Sequence, residues 1–222
     1  MEKRKIIIGD YDTAAMGWTL AEWSLSSPAV VTQYVDIPGR DGTLDLSDTL
    51  TDGIPRYHDR EFSARLECSD GTRMERETLI RDMVNRLDGW KTEIRLPDDD
   101  DHYITGRVSV SRLYNDPAHG AVLITAVCQP WLERTEMTEY SVTAAQIDQT
   151  LVLRNAGRRA VCPVLIVTGA GANVRIAYGN FSFSMSAGSY QLPDLLLTTG
   201  EHSVTYSGTG SLQVRYREAV LA

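Results

Sequence analysis

Lysine is nearly missing from this 222-residue chain: Lys3, Lys5 and Lys91 stand against 19 arginines. Cysteine is scarce as well. Cys68, Cys128 and Cys162 are odd in number, far apart and without a C-x-x-C pair, which argues against a disulfide framework and against redox or zinc motifs. Cys68 and Cys128 sit in strand-like apolar patterns, where free cysteine behaves as a small buried hydrophobe. No apolar run approaches the roughly 20 residues that span a bilayer. Ile6-Ile7-Ile8 is too short for the apolar core of a signal peptide, so folding in a cytoplasm without membrane insertion is expected. G-x-S-x-G, H-E-x-x-H and phosphate-loop patterns are all absent. The sequence therefore predicts no catalytic, cofactor or metal residue, and no enzyme.

Charge is present but uneven. Residues 1–133 carry a net −9 and residues 134–222 a net +1. An acidic first half disfavours tight nucleic-acid binding, which needs clustered cations to neutralise phosphates. The arginine bias fits either composition alone or interfaces, where a planar, weakly hydrated guanidinium is favoured. Asp98 to Asp101 form a run of four acids, but the alternating ligands, glycine and distal glutamate of an EF-hand are missing, so an exposed hairpin tip is expected. His58 and Asp59 are strand neighbours whose side chains point to opposite faces. His102, His119 and His202 fall in turns or at strand starts without zinc spacing.

What is present is β pattern. Val35 and Ile37 alternate with Asp36, and Phe62, Ala64, Leu66 and Cys68 alternate with polar residues, which predicts half-buried strands. Between them Pro38-Gly39 and Asp41-Gly42 are turn dipeptides separated by Arg40. Met16 to Leu25 reads as one long strand in which Trp18 and Trp23 occupy opposite faces, one for a core and one for a partner, or as a strand broken by a bulge between them. One helix stands out, Arg73 to Leu87. Thr72 and Glu75 form a capping box, Leu79, Ile80, Met83, Val84 and Leu87 make an apolar stripe, and Gly89 ends it. A hairpin from Lys91 to Leu113, a turn at Asn115 to Gly120 and a central strand at Ala121 to Cys128 complete a β-rich domain over residues 1–133.

From residue 134 onward the texture turns to Ser, Thr and Gly. Seven short strands are expected: Leu151 to Leu153, Val164 to Val167, Val174 to Tyr178, Phe181 to Met185, Leu195 to Leu197, Val204 to Tyr206 and Leu212 to Tyr216. Gly169-Ala170-Gly171-Ala172 is read as a turn between two of them. Short, evenly spaced strands without a helix indicate a β-sandwich or jelly roll over residues 134–222. Tyr178, Tyr190, Tyr206 and Tyr216 either stack a sugar ring or pack between strands.

The stretch Tyr34-Val35-Asp36-Ile37-Pro38-Gly39-Arg40-Asp41-Gly42-Thr43-Leu44-Asp45, followed by Tyr57-His58-Asp59-Arg60, resembles the N-terminal region of distal tail proteins of long-tailed phages. The stretch from Leu195 to Arg217 is similar to the end of that family's galectin-like C-terminal domain, though many carbohydrate-binding sandwiches end in the same rhythm. The resemblance implies a homohexameric ring made by the N-terminal domain, joining tail tube to baseplate or tip. It implies contacts with tail-tube, tape-measure and tail-tip hub or lysin proteins, and a channel that passes DNA without binding it. The place would be the virion tail of a phage or prophage, assembled in the bacterial host. Trp18, Trp23, Pro38, Gly39 and Arg40 are the candidate interface residues. A carbohydrate-binding adhesion module is the alternative.

Overall fold

A computed structural model describes residues 4–49, 51, 53–113 and 120–221. The expected turn at Asn115 and its neighbour His119 lie outside the described residues. Among the described residues the fold is mainly β with one helix. It divides into two compact units, one ending at Leu132 and one spanning Glu133–Leu221.

The first unit contains β1 (Ile7–Ile8), β2 (Tyr11–Asp12), β3 (Thr19–Leu25), β4 (Tyr34–Asp36), β5 (Thr43–Asp45), β6 (Arg60–Cys68), α1 (Arg73–Leu87), β7 (Lys91–Arg95), β8 (His102–Leu113) and β9 (Gly120–Cys128). Its main sheet runs β2-β1-β7-β8-β9-β6-β3, with every neighbouring pair antiparallel. The period-two pattern does its expected work in β6, where Phe62, Ala64, Leu66 and Cys68 are buried and Glu61 and Arg65 are exposed. In the facing register Ala64 lies opposite Ile124 and Leu66 opposite Val122, so one face of the sheet is apolar. Helix α1 packs on β8 and β9 through Ile80, Met83 and Leu87. Its start is fixed as the sequence predicts: Glu75 N–H donates to Thr72 Oγ1 and Thr72 N–H donates to Glu75 Oε2, which satisfies two amides that the helix leaves unpaired.

Strand β10 (Leu132–Arg134) begins on the last residue of the first unit, and the second unit contains β11 (Thr138–Ala144), β12 (Gln149–Asn155), β13 (Val164–Tyr178), β14 (Phe181–Ser186), β15 (Gly188–Gln191), β16 (Gly200–Tyr216) and β17 (Ala219–Val220). The sequence divided β13 and β16 into pairs of short strands. In the structure each is continuous, and each serves two layers. The first half of β16 pairs with β12 and with the second half of β13, which also pairs with β14. The second half of β16 pairs with β11 and with the first half of β13, which also pairs with β15. Leu153, Val174, Ile176 and Val204 of one layer share a core with Leu165, Val167, Leu212 and Val214 of the other.

Gly169 to Ala172 are therefore not a turn between strands but a bulge inside one, where the β13–β16 register shifts between Thr168 and Asn173. The bulge switches the inward positions of β13 from Leu165 and Val167 to Ala172, Val174 and Ile176. The bend also brings backbones into contact. A Cβ on Gly210 would lie 2.7 Å from the Thr168 carbonyl oxygen, and one on Gly208 would overlap the Asn173 carbonyl. Only glycine fits such a crossing. Leu195 to Leu197 is not a ladder strand: it contributes a single bridge, Val161 with Leu197.

Candidate functional site

The structure separates the two tryptophans. Register shifts between Leu20 and Glu22, so Leu20 lies opposite Leu66 while Trp23 lies opposite Ala64. That bulge returns Trp23 to the apolar face of the sheet instead of the opposite one. The two-faced strand is thus corrected to the bulged one. Trp18 precedes the strand and is buried, its indole N–H donating to Tyr11 Oη at 3.1 Å. Burial raises the Tyr11 pKa. Trp18 is a core residue of its own unit and offers no surface to a partner. Trp23 remains about one-third exposed (36%) on β3, which ends the sheet and has no further strand beside it among the described residues.

Between β3 and β6 the chain leaves the sheet as a double-backed arm. Its base is a ladder: Ser26 N–H donates to Glu61 O, His58 N–H to Ala29 O and Val31 N–H to Arg56 O. Further out Leu46 N–H donates to Gln33 O, and β4 pairs with β5 as a two-stranded sheet of its own. At its tip Arg40 N–H donates to Ile37 O, with Pro38 next and Gly39 at φ +81°. This is the type II turn that Pro-Gly at the central positions dictates. Pro38, Gly39 and Arg40 are all exposed there.

The arm is less buried than its alternation implied. Tyr34 is 57% exposed, and Val30, Val35, Ile37 and Ile54 are exposed with it. Period two describes a strand that has a core on one side, and β4 has none among the described residues. The tell-tale sign lies in the adjacent apolar pair Tyr34-Val35, which puts a large side chain on each face of a three-residue strand.

Two features at the base of the arm escaped the sequence reading. Arg60 is buried, with Nε donating to Ser26 O at 2.6 Å and Nη1 reaching Pro130 O. Its pKa is lowered by that burial. Tyr57 meets Trp131 edge-on at 5.4 Å. Both are members of the tetrad Tyr57-His58-Asp59-Arg60, and together they tie the root of the arm to the end of β9.

The remaining candidates resolve as follows. Asp99 Oδ1 accepts from Asp101 N–H and His102 N–H and meets His102 Nδ1, so the acidic tip is organised by its own amides. Among the described residues no group of three His, Cys, Asp or Glu is placed to hold a metal. Tyr206 and Tyr216 are buried, Tyr178 Oη bonds to His202 Nδ1 and Tyr190 Oη donates to Ser186 O; none of the four is an exposed ring. Cys68 and Cys128 are buried as read, and Cys162 is half-buried with Sγ donating to Leu192 O.

No protein-family model and no curated protein sequence matches this chain. Solved structures do. The crystal structure of the SPP1 Dit protein, described as a paradigm of the hub adsorption apparatus in phages infecting Gram-positive hosts, matches with a TM-score of 0.70 at 14% identity, covering 99% of this chain and 100% of that one. A chain of the phage P2 baseplate, in its calcium-activated conformation, matches with a TM-score of 0.50 at 9% identity, covering 100% and 99%. From end to end, then, this chain has the fold of the SPP1 Dit hub protein.

Proposed function

We propose that this chain is a structural subunit of a phage tail: a distal tail protein that assembles into a ring and joins the tail tube to the baseplate or tip. The observation that carries the reading is the fold likeness to a hub protein, which extends over 99% of this chain and 100% of that one. The exposed arm supports it. A head-to-tail ring buries different patches on each subunit, and this unit offers two: the apolar arm with Pro38, Gly39 and Arg40 at its tip, and the β3 edge with Trp23. In this reading six copies close the ring through the first unit, and the second unit is the galectin-like outer domain. The partners are the tail-tube, tape-measure and tail-tip proteins of the same particle. The role is non-catalytic, and DNA passes the ring without being bound.

Size-exclusion chromatography with light scattering, followed by particle imaging, tests it. The expected result is a species of about six chains, or rings on added tail tubes. Replacing residues 34–45 with a short Gly-Ser linker should leave the main sheet folded and return a monomer. A wild-type chain that stays monomeric at high concentration and on tail tubes overturns the reading.

A further inference from the structure

Strand β14 ends its layer: it pairs with β13 and has no further strand beside it among the described residues. The two-residue loop Gly179-Asn180 closes the hairpin on the pair Tyr178 and Phe181. A loop of that length makes its flanking pair a hydrogen-bonded one, and bonded pairs then alternate along the ladder. Phe181, Phe183 and Met185 therefore turn their main-chain groups to β13, while Ser182, Ser184 and Ser186 turn theirs to the open side. The Ser186 carbonyl is taken by Tyr190 Oη at 3.1 Å. Ser182 and Ser184 each keep an amide and a carbonyl that no strand meets among the described residues. Side chains follow the same alternation. Met185 is buried, Phe183 packs half-buried against the core and Phe181 is 49% exposed, so the apolar layer reaches the edge and stops there uncovered.

Folded proteins blunt such an edge with a charge, a proline or a bulge, because a row of open amides and carbonyls recruits other strands. Strands β3, β11 and β12, which also end their sheets, conform: β3 carries Glu22 beside its bulge, β11 carries Glu139 and β12 carries Arg154. Strand β14 has no such device. Its register with β13 is unbroken from Phe181 to Ser186, and residues 176–193 contain no charge in a chain of which 23% is charged.

We propose that β14 is a strand-addition site, taking an extended segment of another protein whose alternate residues are apolar. The open groups of Ser182 and Ser184 select a strand, which supplies acceptors and donors at the matching spacing, main chain to main chain. Phe181 and Phe183 select its side chains. Residues facing them would sit in non-hydrogen-bonded pairs, where side chains lie closest, and apolar ones there would cover the exposed ring. The choice of another protein over a second copy rests on the ring reading. Ring neighbours meet through different patches and the ring closes through the first unit, whereas pairing β14 with a second β14 needs a twofold axis.

The test is a selection of short randomised peptides displayed against the full chain, with the most enriched sequence made as a labelled peptide and titrated by fluorescence anisotropy. Apolar residues at every second position should dominate the enriched set. Ser184→Pro removes an open-side N–H without touching the bonds to β13, a place where an edge strand accepts proline. It should weaken the labelled peptide by at least about tenfold, with a melting temperature near that of the wild type. Ser184→Ala keeps the amide and should bind as the wild type does. On the wild-type chain, N-methylating one alternate set of the peptide's amides should abolish binding and methylating the other set should spare it. The proposal is overturned by enrichment without alternation, by binding that neither Ser184→Pro nor either methylation changes, or by no enrichment above a blank surface. Self-association that Ser184→Pro abolishes overturns it too, as it would make a second copy the occupant. A wild-type chain that stays monomeric but binds the peptide in this way refutes the ring and supports the site; rings that bind no peptide refute the site alone.

Discussion

Two glycines show how the same substitution chemistry acts through different physics. At Gly39 the strain is conformational: φ is +81° and nothing lies within 4 Å of an added Cβ. Gly39→Val should cost about 1 kcal/mol, the usual penalty for a side chain in left-handed backbone, read as a small shift in urea midpoint. At Gly208 packing is added to conformational strain, because φ is +123° and the Cβ also meets the Asn173 carbonyl. Gly208→Ala should cost about 3 kcal/mol, the upper part of the overpacking range, and a midpoint equal to wild type would show that the crossing can relax. The first position was readable because Pro-Gly names its turn. The second was not, since sequence gives no sign of which backbone passes over a glycine in the middle of a strand. Thiols make the third case. Burial pushes the Cys128 thiol up to about 11, and Cys68 is buried with it. Only a thiolate attacks a disulfide reagent, so the native chain at pH 8 should release slowly, Cys162 first, and Cys162→Ser should remove that early phase.

At the scale of elements, the helix was fully legible and the long strands only in pieces. Thr72, Glu75 and the stripe of Ile80, Met83 and Leu87 specify α1 through local geometry alone, so reading them needs no tertiary knowledge. Thr72→Ala should cost about 1 kcal/mol, as caps generally do. The pH dependence of the cap has a defined sign. The Glu75 carboxyl is held below its ordinary value by the Thr72 amide and then by the Thr72 side chain. A depressed carboxylate contributes above its unfolded pKa, and the contribution is lost as pH falls through the folded one. The gap between wild type and Glu75→Ala should therefore narrow in acid denaturation compared with pH 7; a constant gap would leave the Glu75 carboxylate without a share in the cap. Strands β13 and β16 were cut short in the sequence because Gly169, Gly171, Gly208 and Gly210 punctuate them, and glycine signals a turn and a bulge equally well. The Met16 to Leu25 segment failed for a related reason: a bulge shifts facing by one residue, and period two cannot show where it falls. Likewise the arm was visible as turns and strands, but the exposure of its apolar residues was not, since alternation looks the same whether the apolar face meets its own fold or another molecule.

For the molecule as a whole, charge bears on what can travel along it. The face of the first unit's sheet opposite the helix is built of rows that cross strands. Arg107 pairs with Val127 and Val127 with Glu61; Ser109, Thr125, Ser63 and Ser24 follow; then Ser111, Leu123, Arg65 and Glu22. Acids and arginines are interleaved there, so the −9 of residues 1–133 is not gathered on this face. A surface of mixed sign and short hydroxyl side chains gives phosphates no run of cations to condense on. Duplex DNA should show no measurable shift with the chain at physiological salt in an electrophoretic assay. A saturable shift, with a steep loss on adding salt, would contradict that expectation.

Because β13 and β16 each run through both layers of the second unit, neither layer owns a complete set of hydrogen bonds. Peeling one layer open means unzipping the same two strands on which the other depends. Amide hydrogen exchange should register this as a shared protection limit: the amides of Leu165 and Val167 at one end of β13 and of Val174 and Ile176 at the other should exchange through one opening event, with equal free energies and equal sensitivity to denaturant. A sandwich of two independent sheets would show two such limits, and here a single one is expected.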